Sequence, residues 1–147
     1  MLGELLTSQG VPEPKSDRPV ILEWATGTRK QMRAMPAEVQ DVFGSALLDV
    51  EYGDVPEGAR VYGEGLPTEI MKIAEDHDGN TYRAAYTVAF SGVAYVLDVF
   101  QKKAKRGSRT PQADKDRVLE RYKLAKAHYE EHYAHRFRST RKPGRSP

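Results

Sequence analysis

Residues 78–101 read DGNTYRAAYTVAFSGVAYVLDVFQ, and the fold turns on this stretch. Tyr82, Ala84, Tyr86, Val88 and Phe90 alternate with Arg83, Ala85, Thr87 and Ala89, which is the two-residue period of a strand with two different faces. Asp78-Gly79-Asn80 just ahead has the chemistry of a tight hairpin turn, so Glu69–Glu75 becomes the preceding strand. Ser91-Gly92 turns the chain again, into a strand over Val93–Gln101. Consecutive strands joined by tight turns make an antiparallel meander.

Upstream, the β-branched and aromatic run Val20–Trp24 predicts a first strand. Thr26-Gly27-Thr28 offers an N-cap to a short helix through Met32. Pro36 suits the first position of a second helix, where its missing N–H leaves no bond unmade. That helix puts Val39, Val42, Phe43, Ala46, Leu47 and Val50 on one stripe, until Gly53 and Pro56 end it. Downstream, Pro111 opens a long helix in which Val118, Tyr122, Ala125 and Tyr129 share a face. Residues 1–18, punctuated by Gly10, Pro12 and Pro14, read as a flexible leader, and 136–147 (RFRSTRKPGRSP) as a basic disordered tail that buries nothing. Between them, 19–135 form one domain without internal repeat. A meander with a helical hairpin before it, a long helix after it and all helices on one side is an α+β fold.

The chain has 147 residues, enough for one real core, and a net charge of only +2. That sum conceals a segregation. Residues 1–100 carry 8 Lys/Arg against 16 Asp/Glu, or −8, whereas 101–147 carry 15 against 5, or +10. Such asymmetry suggests an anionic partner for the basic end. Cysteine is absent, which excludes disulfides, thiolate metal sites and a cysteine nucleophile. No apolar run approaches the ~20 residues of a membrane helix, and the N-terminus lacks the pattern of a signal peptide, so a soluble cytoplasmic protein is expected.

Two motifs lead nowhere. His128-Tyr129-Glu130-Glu131-His132 satisfies the inverted zinc-protease pattern, but no Asp, Glu or Cys follows to complete the ligands, and an exposed polar helix face is the plainer reading. Gly63-Glu64-Gly65 lacks the lysine and the strand–loop–helix context of a phosphate loop. The stronger signal is cationic. Lys72 sits in a strand between Met71 and Ile73, Arg83 in another between Tyr82 and Ala84, and Lys102 and Lys103 directly follow the last strand. A meander sets these strands side by side, so Lys72, Arg83 and Lys102 are placed to converge on one face. Lys105, Arg106 and Arg109 extend the cluster in the loop. Cations interleaved with aromatic rings suit single-stranded nucleic acid, whose phosphates need charge and whose bases need stacking. The plainer alternative is that each cation pairs with a carboxylate or solvates the sheet.

Glu75–Val88, Tyr95–Lys103 with Thr110-Pro111, Glu23-Trp24, Thr28-Arg29-Lys30, Met35–Asp41 and the helix through His128-Tyr129 together resemble the phage-derived HigB-like toxins, a branch of the RelE/ParE superfamily of type II toxin–antitoxin systems. The resemblance spans about residues 19–133. It implies a RelE-like sheet and a ribosome-dependent mRNA endonuclease that blocks translation, without metal or other cofactor. In such enzymes the RNA's own 2′-hydroxyl attacks the adjacent phosphate. It also implies a cognate helix-turn-helix antitoxin, joined in a hetero-oligomer. By position, Arg83 matches the arginine on the scissile phosphate, Lys102 a transition-state-stabilising arginine, and Lys72 a lysine proposed as base. Lys103, Lys105, Arg106 and Arg109 would hold RNA. Asp98 stands where this branch commonly has histidine, and no tyrosine follows the third strand as in RelE itself. A ParE-like gyrase inhibitor without nuclease activity shares the fold and is the rival reading, and a degenerate relative kept for binding is a third.

Overall fold

The computed structural model describes residues 19–102 and 111–141, leaving aside the side chains of 111 and 138–141. The leader 1–18, the loop 103–110 and the end 142–147 lie outside the described residues. The elements are β1 (Ile21–Trp24), α1 (Thr28–Arg33), α2 (Ala37–Glu51), β2 (Arg60–Val61), β3 (Ile70–His77), β4 (Asn80–Phe90), β5 (Val93–Lys102), α3 (Pro111–His132) and α4 (Ala134–Arg141).

The α+β reading holds. The sheet order is β1-β5-β4-β3-β2, and β2 to β5 pair antiparallel as the alternation requires. Asp78 and Gly79 both have positive φ, 53° and 80°, and link His77 to its partner Asn80 in a two-residue turn whose twist matches the strands. Two features were not foreseen. β1 joins β5 in parallel, Ile21 opposite Val93 and Trp24 opposite Val96, because the α1–α2 hairpin and the meander intervene as a crossover. The two-residue edge strand β2 is too short to carry any period.

The helices also cover both faces of the sheet instead of one. Val39, Phe43, Ala46, Leu47 and Val50 of α2 pack on Ile73, Ala84, Tyr86, Ala94 and Val96. Val118, Ala125 and Tyr129 of α3 pack on Ile70, Ala85, Tyr95, Leu97 and Phe100. The physical reason is that apolar residues occupy both parities of β5, and an exposed second face would leave Tyr95 and Leu97 in water. Pro36 precedes α2 as its cap, with φ −56° and ψ 148°, and Gln40 Nε2 donates to Met35 O at 2.8 Å across that end.

The basic end is not wholly loose. α4 continues to Arg141, and Phe137, placed by sequence in a tail that buries nothing, packs with the α3-side cluster. Its ring lies over Gly92, which has φ 83° and where a Cβ would overlap that ring. Ala134, buried in the same cluster, and Phe137 together anchor a helix whose other residues are polar.

A bulge in β5 governs how α3 lies. Ala85 faces Asp98 and Tyr86 faces Val96, so Leu97 is an extra residue and both Leu97 and Asp98 turn toward α3. The wholly buried Asp98 accepts from Arg117 Nε and Arg121 Nη1, each at 2.8 Å, and Arg117 Nη2 also reaches Asp114 at 2.8 Å. Further along, Tyr95 OH and His128 Nδ1 are 2.8 Å apart, Tyr129 OH donates to Ser91 O at 2.7 Å, and Tyr133 OH donates to Glu23. Removing one partner of a buried ion pair leaves the other charge stranded and typically costs about 3–5 kcal/mol. Asp98→Ala is therefore expected to forfeit a large share of a total of about 5–15 kcal/mol, read as a lower urea midpoint. An unchanged midpoint would show that α3 is not held through this residue.

Candidate active site

Antiparallel register sets Lys72 opposite Ala85 and Arg83 opposite Ala74, so the two cations are diagonal neighbours on the α3 side of the sheet. Tyr62 follows β2, is held by its N–H to Ile70 O at 2.8 Å, and is 1% exposed. Its ring lies beneath both cations, 5.2 Å from Lys72 Nζ and 5.2 Å from Arg83 Cζ. Arg83 Nη1 donates to Tyr62 OH at 3.2 Å. The phenol thus supports the pair with its face and orients one member with its oxygen.

Glu64 completes the group. Its Oε2 lies 3.6 Å from Lys72 Nζ and 3.7 Å from Arg83 Nη1. The loop that carries it has positive φ at three successive residues, Gly63 (75°), Glu64 (58°) and Gly65 (88°). Glycine takes this conformation freely and glutamate does not. Lys115 Nζ on α3 donates to Glu64 O at 3.4 Å and so ties the loop to the covering helix. Arg83 Nε is buried with no hydrogen-bond partner among the described residues, an unused donor in the middle of the group.

Burial lowers the Lys72 pKa, as do the neighbouring charges of Arg83 and Arg60, while Glu64 works in the opposite direction. Burial raises that of Tyr62, against the bond and charge of Arg83, so the phenol stays protonated.

Lys102 ends β5 opposite Thr81, which puts it on the same face one further diagonal step away, toward the β3–β4 turn. The expected convergence therefore holds for Lys72 and Arg83 around Tyr62, with Lys102 outside that grouping. Lys103, Lys105, Arg106 and Arg109 lie outside the described residues. Tyr62 and Glu64 escaped the reading of the sequence because both lie between periodic elements. The available signal was Gly63-Glu64-Gly65 itself, a carboxylate held between two glycines. Asp98 does not join this group; it is saturated by Arg117 and Arg121. The His128 and His132 rings stand 4.4 Å apart, and no cluster able to hold a metal occurs among the described residues.

A family model described as phage derived protein Gp49-like matches residues 30–123. The chain belongs to that family. The phage-derived kinship expected from the motifs is thereby met, and the matched span of the Gp49-like chain includes Tyr62, Glu64, Lys72, Arg83 and Lys102. No curated protein matches the sequence. Among solved structures, the isolated E. coli RelE toxin is similar at 19% identity and a TM-score of 0.45, covering 66% of this chain and 94% of its own. A mutant of E. coli toxin RelE in the free state is similar at 21% identity and a TM-score of 0.48, covering 68% and 95%. The toxin–antitoxin complex RelBE2 of Mycobacterium tuberculosis is similar at 15% and 0.37, covering 59% and 95%. No helix among the described residues is long and apolar enough to cross a membrane.

The Lys72 environment makes a measurable statement about this Gp49-like chain. Its amine is expected to deprotonate at lower pH than ordinary lysines, so amine-acylating reagents should modify it preferentially as pH rises from neutrality. Removing the Arg83 charge relieves one cause of the depression, so Arg83→Ala should move the titration upward. Removing the opposing carboxylate, in Glu64→Gln, should move it downward. Quantitative mass spectrometry of peptides containing Lys72 reads all three, and identical profiles would refute the assignment.

Proposed function

We propose that the protein is the toxin of a type II toxin–antitoxin system, a ribosome-dependent mRNA endonuclease. The observation that carries this reading is the Lys72–Arg83 pair, set diagonally on one sheet face over a single tyrosine ring. In cleavage by the RNA's own 2′-hydroxyl, three tasks need a protein group. The hydroxyl must lose its proton, the phosphorane must have its extra negative charge stabilised, and the leaving 5′-oxygen must be protonated.

Arg83 is suited to the second task. Its guanidinium is always charged, and its Nε has no acceptor among the described residues. Lys72, with its proton loosened by burial, is suited to moving a proton. Lys102 adds charge on the same face, and Lys103, Lys105, Arg106 and Arg109 supply phosphate contacts along the strand. Side chains serve each task, so the proposed reaction calls on no metal. A cognate helix-turn-helix antitoxin neutralises the toxin in a hetero-oligomer by covering this face, within the cytoplasm.

Controlled expression followed by mapping of mRNA ends tests the reading. Cuts in translated messages, absent when translation is blocked, are expected. Arg83→Ala should lose about 3–4 kcal/mol of transition-state stabilisation, and with it growth arrest, while the far-ultraviolet circular dichroism stays unchanged. RNA association should weaken with salt at a log–log slope of about −0.7 per phosphate contact. Intact messages accompanied by a DNA-damage response would replace this reading with gyrase inhibition, and full toxicity of Arg83→Ala would displace the site.

A further inference from the structure

Glu64 has no assigned part in that scheme, yet it is the residue set most deliberately among the cations. Its backbone stands in the left-handed region at φ 58°, a conformation that is strained for a non-glycine residue and that gathers at functional sites. Positive φ at Gly63 and Gly65 and the Lys115 bond to its carbonyl over-determine that placement. Glu64 keeps 37% of its side chain exposed, against 14% for Lys72 and 11% for Arg83. The carboxylate is therefore the most solvent-accessible member of the group.

We propose that Glu64 is the proton acceptor of the site, taking the 2′-hydroxyl proton of an RNA whose scissile phosphate rests on Lys72 and Arg83. This rests on the nuclease reading above and settles which groups make its two proton transfers. An ionised carboxylate is acceptor-only and an ammonium donor-only, so opposite transfers divide naturally between Glu64 and Lys72. The O2′–H bond breaks and its proton passes to a Glu64 carboxylate oxygen. O2′ bonds to phosphorus, the P–O5′ bond breaks, and O5′ takes a proton from Lys72 Nζ. The products are a 2′,3′-cyclic phosphate and a 5′-hydroxyl, with nothing oxidised or reduced, and solvent returns one proton to Lys72 and removes one from Glu64. Arg83 holds the charge of the phosphorane throughout.

The test uses the full-length protein, translating ribosomes and a defined message, with single-turnover cleavage followed across pH for wild type, Glu64→Gln and Glu64→Asp. Binding of a 2′-deoxy-substituted message is measured beside it. Glu64→Gln is expected to slow cleavage by about 10²–10⁴-fold and to abolish the fall in rate on the acid side of the profile, while binding the uncleavable message as well as wild type or more tightly. Glu64→Asp should keep the acid limb and recover part of the rate. Cleavage by Glu64→Gln at or above the wild-type rate would overturn the proposal and leave Glu64 as a resident anion that substrate displaces. Weakened binding with an unaltered acid limb would overturn it in favour of a purely structural role. A wild-type protein that cuts nothing would overturn the nuclease reading and this inference together, whereas wild-type cleavage with an indifferent Glu64→Gln would overturn this inference alone.

Discussion

Asp98 reaches the α3 side of the sheet only because Leu97 adds one residue to β5, and there it meets Arg117 and Arg121, each at 2.8 Å. A wholly buried carboxylate must be paired, and its two partners are one helical turn apart on α3. That fixes the helix in both rotation and height over the sheet. Arg121 adds a bond to Leu97 O at 3.1 Å, and Arg117 lies over the Phe100 ring at 5.3 Å. The same helix then delivers Lys115 to the Glu64 carbonyl. The position of the Glu64 loop thus traces back, through α3, to one aspartate in the middle of the sheet.

This bears on how cations are kept together without flying apart. Lys72 and Arg83 repel one another, and burial adds to the penalty on the lysine. The compensation is local: a buried phenol ring against both cations, a carboxylate 3.6 and 3.7 Å from them and a hydroxyl for the guanidinium. Remote charge plays a small part, since at ordinary ionic strength exposed charges beyond about 8–10 Å are largely screened. The large basic excess of residues 101–147 therefore says less about this site than its size suggests.

What could be read from the sequence follows the range over which each feature is encoded. Tyr82–Phe90 carries its own period, and Asp78-Gly79 its own turn geometry, so the central hairpin was legible from neighbouring residues alone. α2 was legible for the same reason, through the stripe from Val39 to Val50. The pairing of β1 with β5 was not, because parallel partners far apart in the chain leave no local mark. Lys72 and Arg83 stood out because a cation in an apolar alternation is conspicuous. Tyr62 and Glu64 became part of the site only through long-range geometry: the β3 register for one, the reach of α3 for the other. Asp98 was visible as an oddity, but the bulge that turns it toward Arg117 and Arg121 was not.

The lengths of the strands have a consequence of another kind. The three inner strands have 8, 11 and 10 residues, whereas the two at the margins, β2 and β1, have 2 and 4. β4 has a strand on each side for most of its length, whereas β2 covers only Met71 and Lys72 of β3 and β1 only Val93–Val96 of β5. A stub of two residues, one of them Arg60, offers a foreign chain almost nothing to zip onto. Beyond that stub the outer edge of β3 over Ile73–His77 has no second strand among the described residues, and there Glu75 and Asp76 place charge where an apolar edge would invite pairing with another chain.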